Sequence, residues 1–111
     1  MSDQLDIEQM QRGAEAATAM LRVLANRDRL MLMCQLSQGE LCVSELEEQL
    51  AIRQPTLSQQ LGILREQGLV ATRRDGKKIY YSVGDERAIA LLGVLYSLYC
   101  PAPRQTAARG A

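Results

Sequence analysis

The sequence contains no histidine, tryptophan or phenylalanine. Without imidazole there is no Ser-His or Cys-His nucleophilic pair and no histidine metal ligand. Its aromatic side chains are four tyrosines, and it has three cysteines. Three is an odd count for a disulfide framework, and the opening MSDQLDIEQM is acidic rather than basic-then-apolar. That start does not read as a secretion signal, so the cysteines are expected to be thiols in the cytoplasm. No apolar run approaches the roughly 18 residues a membrane span needs, so no membrane partner is expected. There is no Cys-x-x-Cys and no glycine-rich cofactor loop. The expectation is therefore a protein that is not an enzyme and carries no cofactor.

What is present suits one domain: 111 residues, 47% hydrophobic and 23% charged. Thirteen basic and thirteen acidic side chains cancel, but they are segregated. Residues 1–52 carry a net charge of −5, residues 53–78 carry +4, and residues 79–111 carry +1. A basic block on an acidic body fits a protein that meets phosphate with one surface.

Helical spacing joins Ala17, Met20, Leu21 and Leu24 in a first helix, from about Gln9 to Leu24. Asn26 can cap a second helix bearing Leu30, Met33 and Leu36, with Gly39 as its stop. Ser44-Glu45-Leu46-Glu47 reads as a capping box for a short third helix over about 45–51. A fourth helix opens near Gln54, tolerates Pro55 in its first turn, buries Leu57, Leu61 and Leu64, and stops at Gly68. The period then changes to two. Leu69 to Arg74 and the alternation through Ile79, Tyr81 and Val83 flank Asp75-Gly76, a hairpin signal. A last helix runs from near Asp85 to Cys100, and the tail 101–111 is expected to be disordered. The fold class expected over 1–100 is mainly α with a small β-hairpin: a winged helix-turn-helix, dimeric.

On the outward face of the fourth helix lie Gln54, Thr56, Ser58 and Gln59, whose amides and hydroxyls can read base edges. Arg53 and Arg65 flank them as phosphate contacts, and the hairpin adds Arg73, Arg74, Lys77 and Lys78. Polar helix faces are commonly just solvated, and basic hairpins often only protect sheet edges. The order helix, helix, basic hairpin, together with the charge segregation, favours double-stranded DNA as the partner.

Four segments then resemble the ArsR family of small dimeric winged-helix repressors: Leu24-Ala25-Asn26-Arg27-Asp28-Arg29-Leu30, Gly39 to Leu46, Gln54 to Leu61, and Leu64 to Val70. The resemblance spans about Ala17 to Cys100. It implies a homodimer joined by its first and last helices, whose fourth helices read an inverted-repeat operator. Metal-sensing members carry Cys-Val-Cys in the third-helix region, where this chain has Cys42-Val43-Ser44. Others use His and carboxylates of the last helix, so no metal site of either type is expected. The chain is instead similar to the persulfide- and redox-sensing branch of the family. That similarity implies release from the operator when Cys42 and Cys100 are joined by a disulfide or polysulfide. The inducers would be reactive sulfur species or oxidants, and the targets sulfide-detoxification genes.

The helix dipole would favour thiolate at Cys42 and oppose it at Cys100, so Cys42 is expected to attack first and Cys100 to resolve. Cys34, on the face of Leu30, reads as inert core. Three alternatives stay open: a metal-responsive repressor with thiolate ligands, a thiol oxidoreductase, and a dimerisation module with vestigial DNA contacts.

Overall fold

The computed structural model describes residues 6–100. The expected tail 101–111 lies outside the described residues. Helix α1 (Ile7–Leu24) is capped by Asp6, whose carboxylate accepts the Glu8 amide at 3.0 Å. Helix α2 (Arg27–Leu36) is capped by Asn26, as its sequence predicts, through the Arg29 amide at 3.0 Å. It ends before Gly39, in a turn closed by the Gly39 amide on the Leu36 carbonyl at 3.2 Å.

Strand β1 (Leu41–Cys42) follows, then α3 (Val43–Leu50) and α4 (Thr56–Glu66). Strands β2 (Val70–Asp75) and β3 (Lys78–Val83) form the hairpin, and α5 (Glu86–Tyr99) closes the described chain. Gly76 takes the left-handed φ of 64° at the hairpin tip, as a tight turn requires. Asp85 caps α5 by accepting the Arg87 and Ala88 amides at 2.8 and 3.3 Å. The sheet has three antiparallel strands in the order β1-β3-β2. The expected hairpin is there, but β1 adds a third strand to it. Two residues are too short to show a period, so β1 left no pattern in the sequence.

The cap of α3 also departs from expectation. Glu45, not Glu47, reaches back, accepting the Cys42 amide at 2.9 Å, so Cys42 rather than Ser44 is the N-cap residue. Pairing of Cys42 with Tyr80 holds residue 42 extended, and the helix starts immediately after it.

The apolar stripes converge on one core. Leu32, Met33 and Leu36 of α2, Leu46 of α3, and Leu57, Leu61 and Leu64 of α4 are buried with Leu69, Val70, Ala88 and Leu92. Helix α2 lies at the centre of this packing, against α1, α3, α4 and α5. Much of α1 and α5 stays uncovered: Ile7, Met10, Leu21, Val94, Leu98 and Tyr99 are exposed apolar side chains.

Candidate nucleic-acid interface and thiol sites

The buried Leu57, Leu61 and Leu64 orient α4, turning Thr56, Ser58 and Gln59 outward. Ahead of the helix, Gln54 is exposed, and its side-chain oxygen accepts the Ser58 amide at 3.1 Å. Gln54, one residue before the Pro55 N-cap, thus satisfies a first-turn amide of α4 and keeps its amide hydrogens free for a base edge or phosphate. Arg53, Arg65, Arg74, Lys77 and Lys78 are exposed as well.

Arg73 is exposed but engaged. Its guanidinium grips the Glu40 carboxylate through two hydrogen bonds, at 2.9 and 2.6 Å, and lies 4.9 Å from the centre of the Tyr80 ring. This fork holds the Glu40 carboxyl below the usual carboxylate range and raises Arg73. Of the four basic hairpin residues, Arg73 is thus committed to the body of the protein. Glu40 was not foreseen as its partner. The two are 33 residues apart, and only the β1–β3–β2 order brings them together.

The cysteines occupy two neighbourhoods. Cys42 is 3% exposed, with its sulfur 3.3 Å from the Ser44 hydroxyl. It lines a cavity with Val43, Ser44, Lys77, Lys78 and Ile79, on the hairpin side. In strand register, Cys42, Tyr80 and Arg73 form one cross-strand row. The Cys42 amide holds the Glu45 carboxyl below its ordinary range.

Cys34 is partly buried where α2 packs against α5. It lines a cavity of about 230 Å³ with Ser37, Gln38, Ile89, Leu92, Gly93 and Tyr96. The Cys100 amide donates to the Tyr96 carbonyl at 2.8 Å, so Cys100 stands one turn of α5 beyond this cavity and is exposed. Burial pushes the Cys34 thiol up, and the charge of Cys100 pushes it further. Cys34 thus lies at the α5 seam that Cys100 ends, whereas Cys42 faces a different cavity. Cys34 packs against the core, as its helical position suggested, and is partly rather than fully buried. Among the described residues, no group of three or more Cys, Asp or Glu is placed to hold a metal ion.

Comparison with known proteins identifies the family. Residues 26–72 match the description "Bacterial regulatory protein, arsR family". The chain is 47% identical over 97 residues to the biofilm growth-associated repressor of Agrobacterium fabrum, covering 87% of this chain and 83% of that one. The chain belongs to the arsR family of bacterial regulatory proteins. Among solved structures, this arsR-family chain is similar to the transcriptional repressor BigR from Xylella fastidiosa. That match has a TM-score of 0.80 and 46% identity, over 86% of this chain and 98% of that chain. Reduced HlyU from Vibrio cholerae matches with a TM-score of 0.80 and 35% identity, over 84% of this chain and 98% of that one. The winged helix-turn-helix fold read from the sequence is the fold of these relatives. No helix among the described residues is long and apolar enough to cross a membrane.

Proposed function

We propose that this protein is a homodimeric transcriptional repressor that binds an inverted-repeat operator and lets go when Cys34 and Cys100 become covalently joined. Membership of the arsR family supports the DNA-binding role, and named repressors among the relatives support its sign. The reading surface is α4 with Arg53, Gln54, Thr56, Ser58, Gln59 and Arg65. Arg74, Lys77 and Lys78 of the hairpin meet phosphate, and Arg73 braces the hairpin. The exposed apolar side chains of α1 and α5 form the face that a second copy covers.

The observation that carries the thiol assignment is placement: Cys34 shares the α2–α5 cavity with Tyr96, and the Cys100 amide is bonded to the Tyr96 carbonyl at 2.8 Å. This assignment replaces the pairing of Cys42 with Cys100. Cys100 is the exposed thiol and reacts first. Its thiolate takes the outer sulfur of a persulfide RSSH, releasing RS⁻ and leaving a persulfide on Cys100. Cys34, as thiolate, then attacks the inner sulfur and expels HS⁻. The dithiol loses two electrons and the transferred sulfur leaves as sulfide. With a hydroperoxide ROOH, the Cys100 thiolate takes the outer oxygen to become a sulfenic acid as ROH leaves, and the Cys34 thiolate then displaces that oxygen, which leaves as water on taking up a proton. Both routes give the same disulfide, which staples the central α2 to α5 and so displaces the recognition helices from their half-sites, about 34 Å apart. A loss of roughly 1–3 kcal/mol in operator affinity suffices for a switch.

Gel-shift on a selected inverted-repeat operator tests this with reduced, persulfide-treated and zinc-treated protein. Reduced protein binds and persulfide releases it. Cys34→Ser and Cys100→Ser bind but no longer release, whereas Cys42→Ser responds as the parent does. A Cys42→Ser variant that stays bound, beside a Cys34→Ser variant that still releases, would return the role to Cys42. Release by zinc alone would favour a metal sensor.

A further inference from the structure

The geometry points to Arg29 as the residue that sets the recognition helix α4 against α1, with Gln60 as its receptor on α4. Arg29 Nε donates to the Val23 carbonyl at 2.6 Å, and Arg29 Nη1 donates to Gln60 Oε1 at 3.0 Å. Val23 lies in the last turn of α1, where carbonyls lack partners within the helix. Its neighbours Leu21 and Leu24 are satisfied by the Ala25 and Asn26 amides at 2.8 Å each, and Arg29 takes the Val23 carbonyl. A guanidinium is flat and presents its donors at fixed angles, so two bonds from one such group fix the relative placement of the two acceptors. Among the described residues, no carboxylate forms an ion pair with Arg29. Its charge faces the negative end of the α1 dipole instead.

Gln60 is half-buried, between the exposed Gln59 and the buried Leu61. The clamp thus grips α4 one residue from the side chains assigned to bases. This inference rests on the reading that α1 lies in the dimer interface. If it does, the angle between α1 and α4 decides how far apart the two recognition helices stand, and Arg29–Gln60 becomes a determinant of operator spacing. A change in that angle misplaces both helices at once over a separation of about 34 Å. Gln60 is accordingly a positioning residue and reads no base.

The test is a binding selection with reduced full-length protein on inverted repeats whose spacer is lengthened or shortened by one base pair. The parent should favour one spacer by about tenfold or more. Gln60→Leu removes the acceptor and leaves Arg29 on Val23. It should cut that preference to about twofold while the preferred half-site bases stay the same. Gln60→Glu keeps an acceptor for the guanidinium and should keep the parent's spacer. Arg29→Met should match Gln60→Leu in spacer tolerance, and thermal melting establishes that each variant is folded. A Gln60→Leu protein that binds more weakly but with the parent's spacer preference would overturn the inference and leave the dimeric reading intact. Selection of single half-sites by the parent would overturn that reading and, with it, the clamp's effect on spacing.

Discussion

Cys34 and Cys42 lie on successive elements of one short stretch, yet their surroundings differ in kind. Cys42 belongs to the sheet: it pairs with Tyr80, caps α3 and directs its sulfur at a hydroxyl. Cys34 belongs to a helix seam, beside a cavity and within reach of the charge of a second thiol. In sequence Cys42 is the more conspicuous, because Cys-Val-Ser precedes a helix start. The pair of neighbourhoods teaches that a thiol's chemistry follows from what packs across from it as well as from its local motif.

The firmest way to disturb one neighbourhood and spare the other is to hollow out the core under α3, the helix that Cys42 caps. Leu46, fully buried in α3, should cost about 2–5 kcal/mol of stability when changed to Ala, measured by denaturant unfolding. In that variant native-state alkylation should reach Cys42 sooner, with Cys34 little changed. An unchanged Cys42 rate would mean that its shielding comes from the hairpin.

A smaller effect separates the hairpin from its brace. Glu40→Gln removes the carboxylate that holds Arg73 and frees a cation for phosphate. Operator affinity should rise severalfold, and the slope of log affinity against log salt should steepen by about one. A flat response would place Arg73 away from DNA in both states.

Alkylation against pH sharpens the contrast at the seam. Since burial and Cys100 raise the Cys34 thiol, Cys34 should alkylate more slowly than a free thiol at neutral pH and gain rate over a higher pH range. In Cys100→Ser the lag should shrink but persist, because burial is the larger cause. The linked stability has a definite sign. A raised folded-state value stabilises below the ordinary thiol range, and that contribution is lost as pH rises through the folded value. Reaction of Cys34 at the rate of a free thiol would contradict its burial in the seam.

The smallest effect belongs to the cap. Glu45 is held low by the Cys42 amide, so its contribution is present above the ordinary carboxylate range near pH 4 and fades as pH falls through its lowered value. Glu45→Gln should lower the melting temperature slightly at neutral pH, and the difference should vanish in acid. A difference that persists in acid would assign the cap to something other than the carboxylate.

Much of the architecture was legible because it is written locally. Asn26 and Asp85 cap where short polar side chains precede apolar stripes, and Leu57, Leu61 and Leu64 repeat at helical spacing. Asp75-Gly76 marks a hairpin whose tip needs positive φ. The α4 face followed from the same periodicity: once three leucines are buried, Thr56, Ser58 and Gln59 must face out. Other features had no local signal. A capping glutamate is equally reasonable at position 45 or 47, and the choice was made by β1 pairing with β3. Arg73 reads as one more hairpin cation until Glu40 is carried to it by the strand order.

By itself, then, the sequence determined the succession of elements, the buried stripes, the exposed polar and basic face of α4 and the hairpin, and the exclusion of histidine chemistry, since each depends on residue type and spacing along a few turns. Only the tertiary structure decided that Cys34 lies in the cavity between α2 and α5, that Arg73 is already partnered and that Arg29 ties α1 to α4. Those relations join residues far apart in the chain, and the range of a side-chain contact is a few ångströms in space, whatever the separation in sequence.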